Sequence, residues 1–592
     1  MSNESTDYDV LIIGAGLAGL SLARQLLLAA PEKRILMLDR QAEIPSSKQK
    51  VGEATVQVSG YYFSRVLELE EHLLREHFLK YNLRFYWPSE RGAAVWEDLS
   101  QSYIRKISNI ATYQLDRNKF EGEILRCNRE SPNFRLINPT SGLQVDLAEE
   151  GLHAFRFQSE GQEFSGRATW VVDASGRGRF LTRHQKLDRP SPIHHGSSFL
   201  WVEGLFDPEK MTNLDRKAIR VRRERGTLGH FPSFLATNHY CGEGYWFWEI
   251  PLHGKTSLAL VYDANLISSK DVSTPEKLIE WICREYPLYA RDLPQRKVLY
   301  HSGFTSYALD GGQTLSSSHW ALCGEACRFA DPLYSPGGDL ISIYNTLITD
   351  AILTDDPKEL EAKLRLYEPL ARAVYEAYVP SFAVSYSTLG DQEAFSLRYV
   401  WELTIYFGFY VFPFINDLFT DRAFLPGFLR RFSHLGPINH GMHRLLAAFF
   451  EWKKKNVVLA APEPVFFEFT DVGALRAAEE TFYKVGVDHE EARQVLDDQL
   501  ANLEDLARWT AAHIASAVLE DPRAATNAAF IRGIDINNLQ FDPAAMAESL
   551  EAACRETSET YTWRFEVPCM ARFRTERLMP ASQELVEVGE RA

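Results

Sequence analysis

Cysteine is scarce: seven among 592 residues, at positions 127, 241, 283, 323, 327, 554 and 569, with no CxxC pair. An odd count at irregular spacing excludes a disulfide framework, offers no zinc-ligand pattern and fits a reducing, cytoplasmic compartment. Long apolar runs are missing as well. The nearest, residues 403–418, is rich in aromatics but broken by Pro413 and Asp417 and preceded by Glu402. It falls short of the roughly 18–20 apolar residues that a membrane span requires. We read it as packed helix or the wall of a lipophilic pocket, and expect no membrane contact. Positive charge is in deficit: 64 Lys plus Arg against 80 Asp plus Glu leave a net charge of −16. That balance argues against nucleic acid as a partner and for solubility. The opening residues pass from a short polar tail into a strand, without the basic stretch and apolar segment of an export signal.

What is present is ordinary in bulk, with 45% hydrophobic and 24% charged residues. The length suits roughly two to four domains. Residues 8–40 read as a β-α-β unit: Val10-Leu11-Ile12-Ile13 as a buried strand, a glycine turn, a helix through Leu28, then Ile35-Leu36-Met37-Leu38. A helix is expected over 59–74, and strands around 83–87, 169–172, 198–202, 246–250 and 258–261. From Asp339 onward the pattern turns helical, with apolar residues at three- and four-residue spacing over 472–485, 489–519 and 543–555. The expected class is α/β: a Rossmann-type cofactor module over 1–350, interleaved with a mostly antiparallel substrate-binding sheet (about 185–310), then a helical C-terminal region over 351–592 covering the substrate side. The last dozen residues, rich in Glu, read as a frayed tail.

Gly14-Ala15-Gly16-Leu17-Ala18-Gly19 follows a strand and opens a helix, and Asp39 closes the next strand twenty residues after Gly19. In that setting Gly14, Gly16 and Gly19 permit a tight turn and bring backbone N–H groups to a pyrophosphate, while Asp39 can accept from a ribose hydroxyl. This unit alone leaves NAD and FAD both open.

The run Trp246-Phe247-Trp248-Glu249-Ile250-Pro251 is a rare spelling even for a buried strand. Alternation places Trp246, Trp248 and Ile250 on one face and Phe247 and Glu249 on the other, with Pro251 expected to end the ladder.

This hexapeptide resembles the WxWxIP signature of the flavin-dependent halogenases, and other motifs extend the resemblance in the family's order over residues 8–350. Trp170-Val171-Val172-Asp173-Ala174-Ser175-Gly176, and the stretch from Cys323-Gly324-Glu325-Ala326 to Asp331-Pro332, are similar to segments of FAD-dependent oxygenases and halogenases. The resemblance implies FAD, used as FADH2, with Asp173, Gly324, Glu325 and Asp331 near the cofactor. The family more often has Gly-Asp where this chain has Gly324-Glu325. Val51-Gly52-Glu53-Ala54-Thr55 matches the family's VGEAT strap, implying that Gly52, Glu53 and Ala54 touch the flavin. Lys80 lies 27 residues after Glu53 within Phe78-Leu79-Lys80-Tyr81-Asn82, and resembles the family's essential lysine, which handles hypohalous acid as an ammonium donor or as a haloamine.

Asp331-Pro332-Leu333-Tyr334-Ser335-Pro336-Gly337-Gly338-Asp339 resembles the halide loop. An anion nest there would use the N–H groups of Gly337 and Gly338, because Pro336 has none. Tyr334 stands where tryptophan halogenases carry a glutamate, so the resemblance points to a phenol or pyrrole, or a larger hydrophobic arene, rather than free tryptophan. Trp246, Trp248 and Tyr334 are the residues assigned to the substrate chamber, with the tryptophans as wall residues. Chloride or bromide is the expected co-substrate. With one dinucleotide fingerprint, a separate flavin reductase is an expected partner, and the arene could be lipophilic or carrier-bound. Two rivals remain: a flavin monooxygenase or oxidase without halide chemistry, and a non-catalytic flavin-binding or membrane-surface interaction protein. His434, His440 and His443 show no metal-ligand spacing, His194 and His195 are candidates to line the chamber, and Cys323 and Cys327 read as buried thiols.

Overall fold

In the computed structural model, which describes residues 6–218 and 233–573, the apolar run at Val10 to Ile13 ends strand β1 (Thr6–Ile13). Helix α1 (Leu17–Ala29) and strand β2 (Ile35–Leu38) follow. Strand β1 is flanked in parallel by β2 on one side and by Gln162–Asp173 on the other. That placement buries Val10, Leu11 and Ile12 completely, which is why the run is continuously apolar rather than alternating. The strand order reverses at β1, so a crevice opens at its carboxyl end, where Gly14 to Gly16 lie.

The second sheet is mostly antiparallel and runs in the order Val298–Phe304, His195–Glu203, Lys255–Asp263, Tyr245–Leu252, Thr237–Gly242, Leu83–Pro88, Leu99–Tyr103 and Phe466–Glu468. It reaches outside the 185–310 span expected for it, because Leu83–Pro88 and Leu99–Tyr103 form a hairpin that adds in parallel to Thr237–Gly242. An edge strand from the C-terminal region, Phe466–Glu468, closes that end. Tyr245–Leu252 lies in the middle. Its faces separate as the alternation requires: Trp246, Trp248 and Ile250 join the large core shared with the first sheet, whereas Phe247 packs into a smaller core beneath Pro275–Glu285. Pro251 does not end the ladder, which continues to the Leu252–Lys255 pair. Beyond Glu249 the strand has a neighbour on one side only, and there a proline is tolerated.

The helix expected over 59–74 is interrupted. It forms Gln57–Tyr61, a π turn at Tyr62–Val66 and, after Glu68 with φ 56°, Glu70–Glu76. The later helical windows appear as Gly473–Thr481, His489–Val518 and Pro543–Glu556. The aromatic run at 403–418 is the end of helix Gln392–Tyr406, a π turn Phe407–Val411 and a short helix Phe412–Ile415, all packed inside. Among the described residues no helix is long and apolar enough to cross a membrane. The tail expected to fray lies outside the described residues.

Candidate active site

The glycine turn is dictated by crowding. Gly14 has φ 109°, and a Cβ there would sit 2.4 Å from the Ala174 carbonyl oxygen. A Cβ on Gly19 would lie 2.1 Å from the Gly14 oxygen, so α1 can pack this closely on β1 only without side chains. Gly16, by contrast, faces open space within 4 Å, where a phosphate can approach the helix N-terminus. Asp39 holds the turn from β2: one carboxylate oxygen accepts from the Ala15 N–H at 2.7 Å and the other from the Gln41 N–H at 2.7 Å.

A cavity of about 380 Å³ opens here, lined among others by Gly16, Gly52, Glu325, Trp246, Trp248 and Gly338. Two helix N-termini, a glycine cradle and an apolar indole wall make a donor set that fits FAD. Two of the expected carboxylates, Asp173 and Asp331, do not line it, and Glu53, which does, is tied up by other side chains. Asp173 accepts from the Ser175 and Leu181 N–H groups at 2.9 and 2.7 Å and so shapes the loop. Asp331 is bound by His195 at 2.8 Å, by the Tyr307 hydroxyl and by the Leu333 N–H at 2.9 Å. Glu53 accepts from Trp201 Nε1 at 2.6 Å, from Ser257 and from Gln49, so it latches the strap to the second sheet. Complete burial pushes Glu53 up to about 7. Glu325 also lines the cavity, half-buried and raised by burial, with Arg177 at 3.9 Å.

Trp246 and Trp248 form one wall, their ring centroids 5.4 Å apart, and Trp248 Nε1 donates to Ser257 Oγ at 3.1 Å. His239 continues it, 5.3 Å from Trp246 and stacked on Phe85 at 4.7 Å. Burial lowers His239 to about 3, so it is neutral.

Lys80 follows the short strand Phe78–Leu79, its own N–H bonded to the Thr112 oxygen at 2.8 Å. Its side chain lines a second cavity of about 270 Å³ with Tyr334, Tyr378, Tyr399, Glu402 and Tyr406. Lys80 is 6% exposed and Nζ has no hydrogen-bond partner. Burial depresses the amine to about 7 against the opposing pull of Asp339. Asp339, itself raised by burial to about 6, accepts from the Ser59 N–H at 2.9 Å and interacts with the Tyr406 hydroxyl. Lys80 lines the second cavity only, while its charge acts on Asp339 and on His239, which lines the first.

The halide-loop segment lines both cavities. Tyr334 and Ser335 are both left-handed, with φ 66° and 58°. Their reversal leaves Tyr334 lining the second cavity while Ser335, Gly337 and Gly338 line the first. Pro336 is the first residue of helix Pro336–Ile352, where a missing N–H is an orphan in any case. The N–H groups of Gly337 and Gly338 belong to a first turn that has no intrahelical acceptor. The three residues assigned to one substrate chamber therefore divide: Trp246 and Trp248 line the first cavity, Tyr334 the second.

The other candidates resolve simply. His195 is bound to Asp331, His194 is exposed, His434 pairs with Glu504 at 2.9 Å and His443 is buried. Cys323 and Cys327 are buried free thiols, and among the described residues no His, Cys, Asp and Glu cluster could hold a metal. The sequence reading missed His239, Asp339 and Glu402 as site residues. The signal for Glu402 was available, since Arg398 precedes it by one helical turn in an otherwise apolar stretch.

No family model matches the chain. It is 25% identical over 466 residues to flavin-dependent halogenase chlA of Dictyostelium discoideum, covering 71% of this chain and 74% of that protein. It is 23% identical over 346 residues to a 1H-pyrrole-2-carbonyl-[peptidyl-carrier protein] chlorinase of Pseudomonas fluorescens, covering 56% and 72%. Among solved structures, halogenase PltM superposes with a TM-score of 0.55 at 16% identity, over 84% of this chain and 96% of that one. The flavin-dependent halogenase CmlS gives 0.52 at 17%, over 86% and 79%. With the glycine cradle, the indole wall and the buried lysine on one scaffold, the chain is similar in sequence to flavin-dependent halogenases and shares the fold of solved ones.

Proposed function

We propose that this protein is an FADH2-dependent halogenase that places chloride or bromide on an electron-rich phenolic arene, with Lys80 as its catalytic residue. The observation that carries the proposal is the buried, unpartnered Lys80 amine in a tyrosine-lined cavity that shares the segment 334–338 with the cofactor cavity. When bound, FADH2 with dioxygen supplies the oxidising equivalent that converts halide to hypohalous acid. Gly14, Gly16 and Gly19 would hold the pyrophosphate, the 49–55 strap and Gly324-Glu325 the flavin end, and the N–H groups of Gly337 and Gly338 the halide. Trp246 and Trp248 keep the arene out of the cofactor cavity. Lys80 takes up the hypohalous acid; with its amine near 7, it donates a hydrogen bond when protonated and is nucleophilic when neutral. Reduced flavin would come from a separate reductase.

The test is product formation from a phenol with and without halide, using chemically reduced FAD. Halide-dependent halogenation by the wild type, and its loss in Lys80→Met with FAD uptake unchanged, are the expected results. A hydroxylated product formed without halide, or normal halogenation by Lys80→Met, overturns the proposal. Failure to take up FAD at all sinks every enzymatic reading.

A further inference from the structure

The second cavity holds three polar atoms from distant parts of the chain, all buried and none bonded to protein: Lys80 Nζ, Tyr334 Oη and Glu402 Oε2. Leaving such an atom without a partner incurs the full desolvation penalty of the group, so three in one cavity mark a place where a ligand completes the bonding. Lys80 has its role in the halogenation reading. Glu402 has none, and its surroundings show how it is prepared.

Glu402 lies on helix Gln392–Tyr406, one turn after Arg398. Its Oε1 is fully occupied, accepting from Arg398 Nε at 2.9 Å and from Ser381 Oγ at 2.5 Å, with His443 Nε2 at 3.8 Å. Arg398 is completely buried, and its remaining nitrogens go to Ser381 Oγ at 2.7 Å and the Ser385 carbonyl at 3.0 Å. Arginine–carboxylate pairs are frequently two-pronged, engaging both oxygens. Here the fork is turned so that a single nitrogen meets a single oxygen, and Oε2 is left to the cavity. The Tyr334 hydroxyl stands beside this carboxylate and is raised by burial and by its charge, but no hydrogen bond of good geometry satisfies either Tyr334 Oη or Glu402 Oε2.

We propose that Glu402 is a second catalytic residue, whose Oε2 accepts the hydroxyl hydrogen of a phenol seated among Tyr334, Tyr378, Tyr399 and Tyr406 beside Lys80. The proposal rests on the reading of this cavity as the arene site, and it narrows the substrate class to arenes with a free hydroxyl. As a ring carbon bonds the halogen of hypohalous acid, the halogen–oxygen bond breaks and its electron pair leaves as hydroxide. The phenolic proton passes to Oε2 while the O–H electron pair enters the ring. Glu402 returns that proton to the hydroxide, giving water. Loss of the ring C–H proton to the phenolic oxygen restores the aromatic phenol, so one arene and one hypohalous acid give one haloarene and one water. An aryl ether offers no hydrogen and would leave Oε2 buried and unpaired, a mismatch that a polar site rejects strongly.

The experiment uses the FAD-loaded enzyme and two probes, resorcinol and its dimethyl ether, with binding measured calorimetrically without turnover and halogenation measured with FADH2 and bromide. The wild type should bind resorcinol and not the ether. Glu402→Gln, which sets an amide donor or a weaker acceptor at the free position, should lose resorcinol affinity by about tenfold or more. Its kcat/KM should fall roughly 100-fold or more. FAD uptake should stay near wild type, the melting temperature should fall because the buried Arg398 loses its charged partner, and Glu402→Asp should recover part of the loss. Retained binding and turnover in Glu402→Gln overturn the assignment. So does a wild type that binds both probes alike, a readout that stands even if the variant fails to fold. Lys80→Met separates the two proposals, because it should bind resorcinol normally while making no product. A wild type that binds resorcinol selectively but never halogenates it refutes the halogenase reading and the proton transfer, while leaving the hydroxyl contact in place.

Discussion

At Lys80 the residue's identity was legible and its environment was not. The offset from Glu53 and the flanking Phe78-Leu79 marked the lysine, but the depressed amine comes from burial by tyrosines more than 250 residues away in sequence, which no local pattern reveals. The shift has a sign that can be checked. The folded amine titrates near 7 against an ordinary value of 10.5, so between these limits the unfolded chain binds more protons and stability rises with pH. Below about 7 the penalty is present in full. Lys80→Met removes it, so its melting temperature should exceed that of the wild type at pH 6, by a margin that shrinks as the pH approaches 10. An equal margin at both ends would mean that the amine is not buried in the folded chain. Asp339 acts on the same proton, because its charge raises the Lys80 value against burial. Asp339→Asn should therefore move the Lys80 ionisation seen in the pH–rate profile to lower pH, and an unmoved or upward shift would exclude the coupling.

Among elements, the strap shows how far a motif can be read. Its position was plain in Val51 to Thr55, and Gly52, with φ 90° and Arg117 Nη1 2.8 Å from where a Cβ would lie, shows why glycine is required. The role of its acid was hidden, because Trp201 and Ser257 reach Glu53 from another sheet. Local alternation, in contrast, did foretell the two faces of Tyr245–Leu252, since a period of two needs no tertiary knowledge. The latch carries its own pH dependence. Glu53 is raised from 4.5 to about 7, so the folded state holds the proton more tightly and stability is lost as the pH climbs through that window. Glu53→Gln keeps an acceptor and a donor at the latch without the charge. Its stability relative to wild type should rise between pH 5 and pH 8, by at most on the order of 3 kcal/mol. Chemical denaturation at both pH values measures this, and a difference that falls with pH would show that Glu53 is not held protonated. Glu53→Ala, which leaves Trp201 and Gln49 without their acceptor, should weaken FAD uptake by freeing the strap.

For the whole molecule, the division at residue 350 separates motifs better than it separates folding units. The β-α-β unit could be read locally because its strand, turn and helix are consecutive. The second cavity could not, being assembled from Lys80, Tyr334, helix Gln392–Tyr406 and Asn439 on helix Leu425–Asn456. Phe85 shows the dependence: its ring packs at 4.7 Å on Phe395, 5.0 Å on Tyr399 and 5.9 Å on Phe469, all supplied by the later part of the chain. Strand Phe466–Glu468 also completes the second sheet beside Leu99–Tyr103. A chain ending at residue 350 would expose this apolar face and an unpaired strand edge together, a combination that favours aggregation. We therefore expect residues 1–350 alone to bind a hydrophobic dye, to melt without cooperativity and to give no halogenated phenol, even with FADH2 and bromide in excess. Co-expression with residues 351–592 should restore some cooperative folding if the two parts meet through the packing around Phe85 and Phe466–Glu468. Should residues 1–350 fold cooperatively and halogenate unaided, the arene site would have to lie wholly within the flavin module, and helix Gln392–Tyr406 would have no part in the chemistry.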